Sequence, residues 1–313
     1  MILENARDHL HCFGENDLYI FTLGHEHRSC FLYDELKKKY PNATLLVFAS
    51  HDYTKYPDIA RIIEEIKRKG NTIHLESYNN SNDVHEKIIE FVSRHIAVRE
   101  TVTVHIDYSS MPRSWYCKLP MLLHKIIRNT DKVFFWYSEG DYPSTHEEYP
   151  SSGIDSFSFF SGKPSLQVEK SRVHVVALGY DIIRTQAILS ITDPSYLVSC
   201  YAYSPAREGF LENLKEINDP ILTRSAISLG MDIEDFDFMV SKLCDTVNEL
   251  LPIGNVILIP DGPKPLIFAL SLVPDLIGKP GITCLHISRN NDCFESVNVT
   301  ATGKVYGFLL QVE

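Results

Sequence analysis

An internal duplication is the feature that most constrains how this 313-residue chain can fold. The first half opens with the apolar segment Tyr19–Gly24, and the second half opens with the similar segment Val173–Gly179. An acid follows each glycine two residues later, and an arginine follows within one more turn. A repeat of this length is too long for a solenoid, whose units have about 20–50 residues. The pattern therefore predicts two similar domains, which we place at residues 1–169 and 170–313.

The two halves keep the same order of features beyond their opening strands. Each half has a later apolar strand that ends in aspartate, Val102–Asp107 in the first copy and Val256–Asp261 in the second. A proline-containing turn and a helical pattern follow both aspartates. The tails also match, since Ser161–Lys163 resembles Thr302–Lys304. Several matches in one order, at a nearly constant offset, are hard to explain without duplication.

Each half alternates apolar strands with helical patterns. Strands such as Thr44–Ala49 are continuously apolar, which is typical of a sheet covered on both faces. Asp58–Lys67 has helical periodicity and ends before Gly70, a residue suited to a helix C-terminus. Alternating strands and helices predict right-handed crossovers and a mostly parallel sheet. The predicted fold class is therefore α/β, with two tandem Rossmann-like domains that each end in an antiparallel hairpin, Phe157–Glu169 and Ser296–Glu313.

Composition excludes several classes of protein. A content of 44% hydrophobic and 11% aromatic residues excludes a disordered chain. The apolar runs are strand-length and the N-terminus has no apolar signal segment, so we expect no membrane partner and a cytoplasmic protein. Seven cysteines without a CxxC pair agree with a reducing compartment. The net charge of −11 disfavours a broad nucleic-acid-binding face but allows a local basic pocket.

Polar residues cluster where four of the predicted strands end, and ligands of open α/β sheets bind beyond such carboxyl ends. Serine hydroxyls and cationic side chains beside a helix start suit a phosphate, and acids at strand tips suit ribose hydroxyls or a base amino group. Together they suit a nucleotide-like or phosphorylated ligand. The candidate ligand-binding residues are Glu26, Arg28, Asp107, Ser109, Ser110, Arg113, Asp181, Arg184, Asp261 and Lys264.

A structural role for some of these residues stands beside the functional one. The pairs Glu26–Arg28 and Asp181–Arg184 could equally order the start of a helix. For the Asp107–Arg113 cluster we favour a ligand-binding role. We favour the same role for Lys264, because a lysine at a helix start is disfavoured by the helix dipole unless an anion compensates. His25 and His27 lack a third ligand, so we expect no metal site. No GxxxxGK[ST], GxGxxG or GxSxG motif occurs, and no cofactor or catalytic residue is indicated.

A strand ending in Asp, followed by Ser-Ser or Gly-Pro-Lys and then a helix, resembles the nucleotide-binding loops of CARF-type domains. The resemblance covers Asp107–Arg113 and Asp261–Lys264, and the small-residue stretch before the lysine is shorter here, only Gly262-Pro263. It implies a sensor of cyclic oligoadenylates that belongs to a prokaryotic antiviral system. CARF-type domains pair across a two-fold axis, and a duplicated chain could form such a pair within itself.

Three functions remain open from the sequence. The first is a nucleotide-binding sensor of a bacterial antiphage system, with the ligand between the halves, on Ser109, Ser110, Arg113 and Lys264. The second is a non-catalytic interaction subunit that binds a protein of the same system through exposed aromatic residues in Tyr142–Phe160. The third is a nucleotide-cleaving hydrolase in which Glu26 or Asp107 is the general base or nucleophile.

Overall fold

The computed structural model describes residues 1–6, 8–77, 80–141, 151–164, 171–205, 207, 209–289 and 299–312. The chain divides into unit 1, which combines Met1–Pro143 with Ser296–Glu313, and unit 2, which is Ser144–Glu295. Each unit has its own mostly parallel sheet, with seven strands in unit 1 and six in unit 2. The predicted fold class, α/β with two Rossmann-like domains, is confirmed.

The strands, in chain order, are β1 (Ile2–Ala6), β2 (Leu18–Leu23), β3 (Thr44–Ser50), β4 (Thr72–Glu76), β5 (Thr103–Asp107), β6 (Lys132–Asp141), β7 (Phe157–Lys163), β8 (Ser171–Ala177), β9 (Tyr196–Tyr203), β10 (Ile227–Asp232), β11 (Gly254–Pro260), β12 (Ile282–Ile287) and β13 (Thr300–Gln311). The α-helices are α1 (His9–Cys12), α2 (Phe31–Lys39), α3 (Pro57–Arg68), α4 (Ser81–Ile96), α5 (Arg113–Tyr116), α6 (Leu119–His124), α7 (Ile182–Thr192), α8 (Phe210–Ile217), α9 (Asp219–Arg224), α10 (Phe236–Leu250) and α11 (Lys264–Ile277).

In unit 1 the strand order is β1-β13-β6-β5-β2-β3-β4. The five strands from β6 to β4 run parallel to one another, whereas β13 is antiparallel to both of its neighbours. The chain builds outward from β2 to β4 and then returns to the other side of β2 for β5 and β6. The topological switch point, at which an open α/β sheet leaves a crevice beyond its carboxyl edge, therefore lies between β2 and β5.

Unit 2 repeats this order as β10-β9-β8-β11-β12-β7. Its first five strands are parallel, and β7 is antiparallel to β12. The strand order again reverses beside the first strand, so the switch point lies between β8 and β11. The two units thus have the same central topology, as the duplication in the sequence predicts.

The expected division at residue 169 is not where the two units separate. Strand β7, placed by the sequence at the end of the first domain, pairs with β12 in the sheet of unit 2. Strand β13, expected to close the second domain, lies between β1 and β6 in unit 1. Unit 2 is therefore a continuous segment between two parts of unit 1. Strand pairing is a long-range contact, so the local pattern identifies an antiparallel strand but not the sheet that it joins.

The glycines expected to turn the two terminal hairpins lie inside strands instead. Gly162 is within β7 and Gly303 is within β13, with φ angles of +99° and +90° that strongly favour glycine. A Cβ on Gly162 would lie 2.3 Å from the carbonyl oxygen of Ile282. Both strands change register near these glycines, which is how a glycine irregularity is accommodated in a strand. Residues 165–169, also placed in a hairpin, lie outside the described residues.

The predicted helices of unit 1 are present at nearly the expected positions. The helical pattern at Asp58–Lys67 is α3, and the helical pattern that the sequence shows at Val84–Arg94 is the central part of α4. The N-terminal strand β1 and the short helix α1 were not predicted, since a strand of mixed polarity gives no clear period. Within the described residues, no helix combines the length and the apolar character needed to cross a bilayer.

One buried histidine gives unit 2 a predictable dependence on pH. His174 is fully buried in β8, and burial lowers its pKa from 6.5 to about 4. Below pH 6.5 the unfolded chain gains a proton that the folded chain does not accept until about pH 4. We therefore expect the free energy of unfolding to fall by about 3 kcal/mol between these two pH values. Denaturant unfolding followed by circular dichroism over this range measures it.

The contribution of His174 can be isolated by substitution. In His174→Leu the titrating group is gone while the side-chain volume is nearly kept, so about 3 kcal/mol of the fall should disappear. His105, whose pKa burial also lowers, contributes in the same direction in both proteins and cancels in the comparison. An identical fall in wild type and His174→Leu would contradict this assignment.

Candidate functional site

The candidate residues of each unit lie at the carboxyl ends of the two strands that flank its switch point. In unit 1, Glu26 and Arg28 follow β2, and Asp107 is the last residue of β5. In unit 2, Asp181 follows β8, and Asp261 comes directly after β11. The sequence pattern thus selects the same pair of strands in both copies. We use two names for the candidate residues from here on. The unit 1 rim is Glu26, Arg28, Asp107, Ser109, Ser110 and Arg113, and the unit 2 rim is Asp181, Arg184, Asp261 and Lys264.

Arg28 is a buried residue that ties the unit 1 rim together. It lies in a short 3₁₀ turn, and its Nε donates to Glu26 Oε2 at 2.5 Å. Its Nη1 donates to the Tyr137 hydroxyl at 2.8 Å and to the Ser138 carbonyl at 3.4 Å. The guanidinium also lies 5.2 Å from the centre of the Tyr137 ring, a cation–π distance. Arg28 therefore connects the loop after β2 to β6.

Asp107 and Ser109 form a second buried link in the same rim. Asp107 Oδ1 accepts hydrogen bonds from the Ser109 backbone N–H, at 2.9 Å, and from the Ser109 hydroxyl. The Ser109 Oγ in turn accepts from the Ser138 backbone N–H at 2.7 Å. All three residues are buried. These bonds hold the loop after β5 against β6.

Besides Glu26, two members of the unit 1 rim are partly exposed. They are Ser110 and Arg113, and Arg113 is the first residue of α5. The Ser110 Oγ atom itself is buried, and it has no hydrogen-bond partner within the described part of the chain. Gly24 permits the loop to approach, because a Cβ at this position would lie 3.1 Å from Ser110 Cβ. The rim thus combines the partly exposed Arg113 with a buried polar base that includes the Ser110 hydroxyl.

Arg184 occupies the matching place in the unit 2 rim and is more extensively bonded. Its Nε donates to Asp261 Oδ1 at 2.9 Å, and both groups are buried. Its other nitrogens donate to the Ser152 hydroxyl at 3.2 Å and to the carbonyls of Gly153 and Ile287 at 2.7 and 2.8 Å. The guanidinium therefore spans from α7 across β11 to the end of β12.

The two acids of the unit 2 rim have separate tasks. Asp181 caps α7, where its Oδ1 accepts from the Arg184 backbone N–H at 3.0 Å. Its Oδ2 accepts from the backbone and hydroxyl of Ser152 at 2.7 and 3.0 Å. Asp261 receives Arg184 on one oxygen and the Thr185 hydroxyl on the other, at 3.0 Å. Both carboxylates are thus held by donors of unit 2 itself.

The two arginines have equivalent positions although their local sequences differ. Each crosses its switch point and reaches a carbonyl at the end of the fifth parallel strand, Ser138 in β6 or Ile287 in β12. Sequence reasoning missed the partners Tyr137, Ser138 and Ser152. These partners are distant in the chain from the arginines or lie in an irregular segment, so no local signal identifies them.

Each rim also contains a cation at the start of a helix without a side-chain cap. Pro112 precedes Arg113 at the start of α5, and Pro263 precedes Lys264 at the start of α11. Neither proline can cap the helix with a side-chain hydrogen bond, whereas Asp181 caps α7 in this way. The 14-residue α11 therefore directs a positive helix end and the Lys264 side chain to the same rim.

No metal centre is visible in the described part of the chain, where no three His, Cys, Asp or Glu side chains cluster. His27, considered in the sequence, lies with its Nδ1 3.5 Å from Asp58 Oδ2. No protein-family model and no curated protein sequence matches this chain. The resemblance to CARF-type domains accordingly stays a prediction.

Proposed function

We propose that the protein is a sensor that binds a nucleotide or another phosphorylated small molecule at the rims of its two sheets. The observation that carries the proposal is the position of the candidate residues, which lie in both units at the strand ends beside the switch point. Open α/β sheets bind their ligands at this place. That one ligand lies between the two halves stays a prediction.

The proposal divides the ten candidate residues into two groups. Arg28, Asp107, Ser109, Arg184 and Asp261 are buried and bonded within their own unit, so they hold the loops in place. Arg113 and Lys264 are partly exposed and supply the direct contacts to the ligand, and Glu26 and Asp181 border them. The Ser110 hydroxyl, which is buried and has no partner among the described residues, lies in the same rim as Arg113. This division explains why both copies retain buried charges close to an accessible cation.

The chemistry of the accessible group favours an anion. At the start of α11 the backbone N–H groups of Lys264 and Leu266 come before the helical hydrogen bonds begin, and Pro265 has no N–H to offer. A phosphate there would interact with these donors, with the positive end of the helix and with the Lys264 ammonium. It would also offset the cost of placing a lysine at a helix start.

Ligand binding should be detected as stabilisation of the full chain. We expect inorganic phosphate, nucleotides or cyclic oligoadenylates, tested as a panel, to raise the melting temperature in a concentration-dependent way. Removal of one charge-assisted hydrogen bond in Lys264→Ala or Arg113→Ala should weaken binding by about tenfold. Titration calorimetry of the stabilising compound against each variant measures this loss.

A surface lysine of the same unit provides the control. Lys242 is exposed on α10, so Lys242→Ala should bind as wild type does. The proposal fails if no compound of the panel stabilises a protein purified without bound ligand. It also fails if affinity is equal in wild type, Lys264→Ala and Arg113→Ala.

The antiphage setting and the hydrolase alternative have different support. The loops at Asp107–Arg113 and Asp261–Lys264, through their resemblance to CARF-type domains, support a sensor in bacterial antiphage defence. A hydrolase would need a carboxylate that reaches its substrate, yet Asp107 is buried and bound to Ser109. Glu26, whose side chain is 17% exposed, bonds to Arg28. We therefore do not extend the proposal to catalysis.

A protein-interaction role is the second candidate, and one observation favours it. Of the aromatic residues in Tyr142–Phe160, Phe157 and Phe159 are exposed on β7. Those at 142–150 lie outside the described residues. Two exposed phenylalanines on one strand are typical of a surface that binds a protein.

A further inference from the structure

The edge strand β7 presents an apolar surface on unit 2. Phe159 is 61% exposed and Phe157 is 39% exposed. The two side chains are two residues apart and so lie on the same face of the strand. Across the ladder they pair with Leu285 and Ile287, which belong to the core cluster that packs against α7. A register shift between Phe159 and Ser161 places Ser161 on the opposite face of β7, where its hydroxyl donates to the Ser271 carbonyl of α11 at 2.7 Å.

In unit 1, the face that corresponds to the exposed face of β7 is covered by residues of unit 1 itself. There β13 takes the place of β7, and Leu309 lies opposite Phe134 as Phe159 lies opposite Leu285. Leu309 is packed against the core of unit 1, together with Phe13 and Trp136, which meet edge to face at 6.3 Å. The face of β13 that corresponds to the exposed face of β7 is therefore covered, which indicates that a strand in this position packs both of its faces.

The charges of the outer strands indicate which partner suits β7. Strand β7 contains no acid, and its one charged residue is Lys163 at its last position. Each of the other three outer strands in the described sheets contains an acid, Glu4 in β1, Glu76 in β4 and Asp232 in β10. In a chain of net charge −11, pairing one of these strands with its own copy brings like charges together. Pairing β7 with the β7 of a second copy brings no acids together.

We infer that β7 is a dimerisation edge, at which a second copy of this chain adds its own β7 in antiparallel orientation. A two-fold axis at Ser158 places Phe157 of each copy opposite Phe159 of the other, on the face that is exposed in the single chain. Cross-strand aromatic pairs stabilise such a ladder, and an isologous two-fold contact is the commonest protein dimer. The inference is independent of the proposed ligand site, because no rim residue takes part in it.

Sedimentation of the full chain over a range of concentrations tests the inference. We expect a reversible dimer whose dissociation constant rises by at least about tenfold in Phe159→Glu, because each new carboxylate would be buried against Phe157 of the other copy. Phe238→Glu is the matched control, since Phe238 is 52% exposed in the same unit but lies on α10. This control should dimerise as wild type does. Thermal unfolding of both variants checks that the fold is unchanged.

Hydrogen exchange separates strand pairing from other contacts. The backbone amides of residues 157–161 should exchange more slowly at high than at low protein concentration in wild type, and should show no such difference in Phe159→Glu. A full chain that stays monomeric at every concentration overturns the inference. A dimer that Phe159→Glu leaves intact, or that Phe238→Glu weakens equally, also overturns it.

Discussion

A chain that ends at residue 298 should lose the fold of unit 1 and keep that of unit 2. Such a chain lacks β13, which lies between β1 and β6 and pairs with both. Phe308 and Leu310 of β13 are fully buried, and burial of such a side chain contributes about 1.5–3 kcal/mol. The two side chains contribute about 3–6 kcal/mol between them, and the loss of both ladders of β13 as well removes much of the stability of a typical domain, about 5–15 kcal/mol. Unit 2 needs no residue beyond Glu295.

The two tryptophans make the outcome easy to read. Trp115 and Trp136 both belong to unit 1 and are buried there. Their fluorescence should shift to the red in the shortened chain, while circular dichroism should retain one cooperative transition from unit 2. A chain that ends at Gln311, and so keeps all of β13, is the control and should fluoresce as wild type does. Buried-type tryptophan emission from the chain ending at residue 298 would contradict the placement of β13 in the sheet of unit 1.

Arg184→Met should destabilise unit 2 by about 3–5 kcal/mol, the usual cost of removing one partner of a buried ion pair. The substitution removes the Arg184 donor from the buried Asp261 carboxylate, which also accepts from Thr185, and it removes the bonds to Gly153 and Ile287. Denaturant unfolding followed by circular dichroism measures the loss.

Two further variants distinguish the buried charge from the volume of the side chain. Arg28→Met in unit 1 removes an equivalent arginine, but its acidic partner Glu26 is partly exposed and can be hydrated, so we expect a smaller loss of about 1–3 kcal/mol. In unit 2, the double variant Arg184→Met, Asp261→Asn replaces the stranded charge by a neutral amide and should recover part of the stability. A loss below about 1 kcal/mol in Arg184→Met would contradict the role of this pair.

These stability effects can be separated from the proposed ligand site. Arg184 and Asp261 support the unit 2 rim from below, whereas Lys264 lies at its accessible surface. Variants of the buried pair should change the unfolding free energy strongly. Lys264→Ala should change ligand affinity while leaving the fold of unit 2 intact.

Much of the architecture follows from the sequence because it is encoded locally. Apolar strands such as β3 and periodic helices such as α3 are visible in short windows, and the repeated order of these elements indicates two domains. A strand–loop–helix pattern also identifies which residues stand at the carboxyl ends. For this reason the sequence alone places Glu26, Asp107, Asp181 and Asp261 at the carboxyl ends of strands, and the strand order of the folded units shows that these ends flank the switch points.

Contacts between distant parts of the chain decided the rest. Whether β7 and β13 complete their own repeat or the other one depends on strand pairing over long separations, which a local pattern does not contain. The same holds for Arg28 and Arg184, since the burial of an arginine depends on partners such as Tyr137 and Asp261 that only the folded chain brings near. The sequence thus determined the kinds of element and the residues at their ends, while tertiary packing determined which charges are buried and which stay accessible.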